Sequence, residues 1–139
     1  CDDADIILMT MGSMTGTARA AVDELREEGE KVGLAKLTVY RPFPSDLLKE
    51  IAGDADGLAV VDRNISPGFG GAVFAEASGT FINEKDSPLL KNFIVGLGGR
   101  EIFKENFKEM YYKTKEAVEE GEVEEPVEWI NMNEEIMRW

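Results

Sequence analysis

Two glycine- and hydroxyl-rich stretches hold the residues best suited to chemistry. One is Met11-Gly12-Ser13-Met14-Thr15-Gly16-Thr17; the other is Asp62-Arg63-Asn64-Ile65-Ser66-Pro67-Gly68-Phe69-Gly70-Gly71. Each follows a short apolar run and precedes small and apolar residues, so each reads as the turn from a buried strand into a helix. Backbone N–H groups at a helix start, with the hydroxyls of Ser13, Thr15 and Thr17 nearby, could hold a phosphate or carboxylate. The competing reading makes Thr15 or Thr17 a helix cap and the glycines a packing turn. Gly68-Phe69-Gly70-Gly71 is neither a dinucleotide fingerprint nor a P-loop with its lysine, which leaves packing as the simpler account. Asp62, Arg63 and Asn64 stand at a strand's carboxyl end, where open α/β sheets bind ligands, and could equally pair with their neighbours.

Composition narrows the chemistry. Histidine is absent and cysteine occurs once in 139 residues. Imidazole-based nucleophile relays, histidine metal sites, internal disulfides and cysteine-ligated clusters made by this chain alone are thereby excluded. The single cysteine points to a reducing, cytoplasmic setting. The net charge of −13, from 15 basic and 28 acidic residues, disfavours nucleic acid and anionic membranes as partners. No run approaches the roughly 20 apolar residues of a membrane span. Cys1-Asp2-Asp3-Ala4-Asp5 is acidic where a signal peptide is basic, and a start at Cys reads as a piece of a longer chain.

The positioning elements follow from periodicity. Strands are expected at 6–10, 32–39, 58–61 and 92–96. Helices are expected from Ala18 to Gly29, from Ser45 as cap to Gly53, over 72–83 and over 101–119. Leu47, Leu48 and Ile51 are expected to face the core, Gly79 to permit close packing, and Phe103, Phe107, Met110, Tyr111, Thr114, Ala117 and Val118 to form a core stripe. Arg41-Pro42-Phe43-Pro44 is stiff and extended, because two prolines bar helix before them. It either presents Arg41 and Phe43 as interface anchors or folds Phe43 inward. Residues 122–139 form an acidic tail carrying Trp129 and Trp139, which either adds an edge strand over 127–130 or docks on the domain or a partner.

Alternating strands and helices predict a three-layer α/β/α domain over residues 1–121, with a mainly parallel open sheet in the order 2-1-3-4 and a possible extra edge strand. That order brings the loops at 12–17 and 64–71 together at the switch point between the first and third strands.

Three blocks together resemble a known family: Leu8 to Arg19, Lys31 to Pro44 with its Arg-Pro-Phe-Pro, and Val61 to Gly71 with its Asp-Arg-Asn and Gly-Phe-Gly-Gly. They are similar to the transketolase C-terminal-like domain of the alpha subunit of pyruvate:ferredoxin oxidoreductase, within the 2-oxoacid:ferredoxin oxidoreductases. The resemblance spans nearly the whole chain and weakens in the tail. It implies an anaerobic-metabolism complex that oxidatively decarboxylates pyruvate with coenzyme A to acetyl-CoA and passes electrons to ferredoxin. It implies thiamine diphosphate, Mg, CoA and 4Fe-4S clusters for the complex and none of them in this domain. Its implied partners are the N-terminal domain of the same subunit, the thiamine-binding beta subunit, and gamma and delta subunits, the delta carrying iron–sulfur. The family's catalytic glutamate, substrate arginine and cluster cysteines match nothing here, so the domain would serve assembly. Two alternatives stay open: a stand-alone small-ligand or phosphate-binding module, and the C-terminal domain of another thiamine-dependent dehydrogenase or transketolase.

Overall fold

The computed structural model describes residues 3–37, 43–62, 72–85, 87–95, 102–121 and 127–130. Five strands, β1 (Ile6–Met11), β2 (Val32–Leu37), β3 (Gly57–Asp62), β4 (Leu89–Ile94) and β5 (Val127–Trp129), alternate with α1 (Thr15–Glu27), α2 (Ser45–Ala52), α3 (Ala72–Phe81) and α4 (Lys104–Glu120). The sheet order is β2-β1-β3-β4-β5 and every pairing is parallel. β1 and β3 are buried along nearly their whole length, as strands covered on both faces must be. Alternate side chains split the core in two. Ile6, Leu8, Ala59, Val61 and Phe93 pack under α1 and α4, whereas Ile7, Met9, Leu58 and Val60 pack under α2 and α3.

The predicted layers and the order of the first four strands are those observed. The tail supplies the fifth strand at the β4 edge, so the sheet gains its extra strand from the chain's end. The hand of the crossovers is informative. The step from β1 to β2 runs one way and carries α1. The steps β2–β3 and β3–β4 run the other way and carry α2 and α3 on the opposite face, as crossovers of one hand require. α4 also steps outward, from β4 to β5, yet lies on the α1 face. This last crossover is therefore opposite in hand to the other three.

Several local expectations need correction. Neither Thr15 nor Thr17 caps α1: the cap position is Met14, with no side-chain hydrogen bond, after a single 3-10 turn over Gly12–Met14. Ser45 is the first residue of α2 rather than its cap, and its hydroxyl oxygen instead accepts from Thr80 at 3.1 Å. Leu47 is exposed, because only Leu48 and Ala52 of α2 point squarely at the sheet. Gly79 is not a close-packing site, since a Cβ there would meet nothing within 4 Å. Gly57 is one: a Cβ would come within 2.9 Å of Val118 and 3.0 Å of Thr114, so α4 lies against β3 at van der Waals distance. β4 starts at Leu89, before the expected position, and Phe103 precedes α4, half exposed, with its N–H donating to the Asn106 side chain at 2.7 Å. Gly29 and Gly121 end α1 and α4 in the left-handed conformation that glycine tolerates, as the periodicity predicts.

Candidate functional site at the carboxyl ends of β1 and β3

β1 and β3 are adjacent, with Ile6 beside Gly57 and Met9 beside Val60, so their carboxyl ends form the switch point of the sheet. From β1 the chain turns at Gly12, whose φ of +79° requires glycine. Ser13 lies in the 3-10 turn, and α1 then begins. The Thr15 hydroxyl does not face outward: it is buried and shares a 2.9 Å hydrogen bond with Thr10 on the strand. This bond ties the start of α1 to the end of β1. Gly16 is exposed and Thr17 half-buried on the first turn of α1.

At the end of β3 the key group is Asp62, only 3% exposed. Its carboxylate accepts the N–H of Val73 at 3.0 Å, the N–H of Phe74 at 3.2 Å and the amide of Asn92 at 3.0 Å. Asn92, wholly buried on β4, also donates to the Val60 carbonyl at 2.9 Å. Burial pushes the Asp62 carboxyl above the usual carboxylate range, against the three hydrogen bonds that favour its charge. The first N–H groups of α3, which an external anion would need, are thus donated to an internal carboxylate. In this arrangement Asp62 caps a helix from the end of the strand before it.

Of the other residues singled out by sequence, Phe43 is half-buried and packs against the core on the α2–α3 side, the inward alternative. Arg41, Pro42, Arg63, Asn64, Gly68, Gly70, Gly71 and Trp139 lie outside the described residues, as does the side chain of Trp129 on β5. Among the described residues, no three Cys, Asp or Glu side chains gather to hold a metal ion. One cysteine and no histidine cannot by themselves complete the ligand set of an iron–sulfur cluster. No helix among the described residues is long and apolar enough to cross a membrane.

Sequence reasoning missed Asn92 as a partner of Asp62, and missed a second polar cluster at the sheet edge. There Glu128 of β5 binds Lys91 of β4 at 2.6 Å and Lys113 of α4 at 2.5 Å. The available signal was the Lys91-Asn92 pair inside an otherwise apolar strand, since buried polar groups demand partners.

Comparison with known proteins gives the geometry its context. Residues 4–107 match the family described as pyruvate:ferredoxin oxidoreductase core domain II. The pyruvate synthase subunit PorA of Pyrococcus abyssi is 48% identical over 98% of this chain and 34% of its own length. The ketoisovalerate oxidoreductase subunit VorA of Pyrococcus furiosus is 47% identical over 94% of this chain and 33% of its own. For the PorA of Methanothermobacter thermautotrophicus the figures are 40%, 97% and 33%. The chain thus spans about a third of the length of these curated relatives. It belongs to the pyruvate:ferredoxin oxidoreductase core domain II family.

Proposed function

We propose that this chain is the assembly domain of the alpha subunit of a pyruvate:ferredoxin oxidoreductase, a cytoplasmic complex converting pyruvate, CoA and oxidised ferredoxin to acetyl-CoA, CO2 and reduced ferredoxin. The observation that carries the proposal is the likeness to PorA along almost the full chain. The domain binds none of the reaction's cofactors in this reading, in keeping with a donor set poor in histidine and cysteine. Thiamine diphosphate, magnesium and the 4Fe-4S clusters belong to the rest of the subunit and to the beta, gamma and delta subunits. The segment holding Arg41, Pro42 and Phe43, the switch-point loops and the tail with Trp129 and Trp139 then serve as contact surfaces. The internal Asp62 cap supports assembly over the phosphate-binding alternative, because it already uses the α3 amides.

A second substrate reading rests on VorA, whose identity to this chain nearly equals that of PorA. The parent complex, purified from its source cells, discriminates. Reduction of ferredoxin with pyruvate and CoA in excess of that with ketoisovalerate supports the first reading, and the reverse preference supports the second. A parent that purifies without thiamine-binding and cluster-bearing partners overturns both.

A further inference from the structure

The sheet ends on its weakest member. Among the described residues β5 has three residues, pairs with β4 alone, and is reached by the one crossover of opposite hand. Backbone pairing of this length contributes little, and strand opening at an edge is the least costly opening a sheet offers. Among the described side chains, Ile130 and Glu128 hold β5 in place. Ile130, just beyond the strand, is 1% exposed and packs in the core beneath α1 and α4, while its N–H donates to the Ile94 carbonyl at 3.0 Å. Glu128 inserts its carboxylate between the ammonium groups of Lys91 and Lys113. The Lys91 side chain is only 8% exposed and lies 5.6 Å from the centre of the Phe93 ring, and Lys113 has a second carboxylate, Glu109, at 3.3 Å.

We infer that residues 127–130 form a detachable strap, closed over the β4 edge by the Glu128 carboxylate and opening as a unit while the rest of the sheet stays folded. The slot it fills is specific. The carboxylate must fall between one lysine from the sheet and one from α4, and an aliphatic side chain must follow two residues later in the core. A parallel strand out of register by one residue would turn Glu128 away from both lysines. When the strap opens, Lys113 keeps Glu109, and the N–H groups of β4 that faced β5 become available for strand pairing. Closed, the strap denies that edge to any other strand.

The ladder supplies its own probe. Leu89 and Val95 donate their N–H groups to Asp56 and Asp62, toward β3. Alternation along the strand turns the N–H groups of Asn92 and Ile94 toward β5. Residue-resolved amide hydrogen exchange on the full chain therefore separates strap opening from global unfolding. We expect Ile94 and Ile130 to exchange faster than Phe93 and Val95. Glu128→Gln should speed the first pair by roughly tenfold or more and leave the second pair unchanged, since a charge-assisted bond is removed from the strap alone. Ile130→Ala should act on the same pair. Equal rates at Ile94 and Val95 in the unaltered chain, or equal acceleration of both pairs in Glu128→Gln, would show that β5 opens only with the whole domain and would overturn the proposal.

Discussion

Asp62 and Val73, eleven positions apart in the chain, are joined by a buried hydrogen bond from the Val73 N–H to the Asp62 carboxylate. The bond fixes the start of α3 against the end of β3. Replacing Asp62 by Ala leaves the Val73 and Phe74 N–H groups and one Asn92 amide proton without their acceptor. Orphaned buried donors are costly, so a loss of about 3 kcal/mol is expected in urea unfolding. Asp62→Asn keeps one acceptor and removes the buried charge, with an expected cost of about 1 kcal/mol. Equal stability of Asp62→Ala and the parent chain would remove Asp62 from its capping role.

Two glycines separate packing from conformation. Gly57→Ala places a methyl group against Val118 and Thr114, and overpacking of this kind costs about 1–3 kcal/mol. Gly79 is exposed in the last turn of α3 with open space around it, so Gly79→Ala should raise stability by about 0.5–1 kcal/mol. Thermal unfolding of the two variants side by side checks both signs. A Gly57→Ala chain as stable as its parent would mean that α4 does not lie close on β3.

Acid acts on opposed groups. The hydrogen bond from the Tyr111 hydroxyl, then that from Lys115, holds the Glu30 carboxyl below the usual value of 4.5 against the effect of burial. Burial pushes Glu128 up, but the hydrogen bonds from Lys113 and Lys91 outweigh it and hold that carboxyl low. Both groups stabilise the fold above their unfolded values, and lose that contribution as pH falls through the lower folded values. Asp62 has the reverse sign. Its raised carboxyl favours the fold below its usual value of 3.8, and that contribution disappears as pH rises through the folded value. The urea midpoint of the parent should therefore fall between pH 5 and pH 3, in about the range where carboxylates titrate. Glu30→Gln should flatten that fall and Asp62→Asn should steepen it. The opposite pair of changes would refute the assignment of signs.

The assembly reading makes a separable prediction at Arg41 and Phe43. Because Phe43 packs partly into the core, Phe43→Ala should cost the isolated chain about 1–2 kcal/mol as well as weaken the complex. Arg41→Ala should leave the melting temperature of the isolated chain unchanged and lower recovery of the partner subunits when the parent protein is purified. Full recovery with Arg41→Ala would move the interface elsewhere.

Much of the architecture was legible because buried parallel strands announce themselves. Ile6 to Met9 and Leu58 to Val61 are unbroken apolar runs, and Ala18, Ala21, Val22 and Leu25 repeat at helical spacing. The topology followed from a few connection rules. What sequence could not supply was the choice between equivalent local partners. Thr15 has a hydroxyl suited to capping, yet the buried Thr10 hydroxyl competes for it and wins, which only the packing of β1 against α1 decides. Leu47 matches the helical stripe of α2, but this helix has just two turns, and a small rotation puts Leu47 in solvent. Gly57 and Gly79 are indistinguishable as letters; only the nearness of α4 separates them. The Asp62 network was half legible. The carboxylate stands out in the sequence by its place at the end of a strand, whereas Asn92 joins it from a position thirty residues away. The Lys91–Glu128 pair also links distant positions, from β4 to the chain's last described strand.

The pairing of α1 with α4 has a consequence for synthesis. Lys108 reaches Glu24 across 84 positions, and Tyr111 reaches Glu30 across 81. On a ribosome, β1, α1 and β2 emerge long before the helix that covers one side of them. Phe107, Met110 and Tyr111 seal that side only when α4 has cleared the exit tunnel. Until then the apolar row of Ile6, Leu8 and Val32 is covered by α1 alone, and native closure of this face waits for α4.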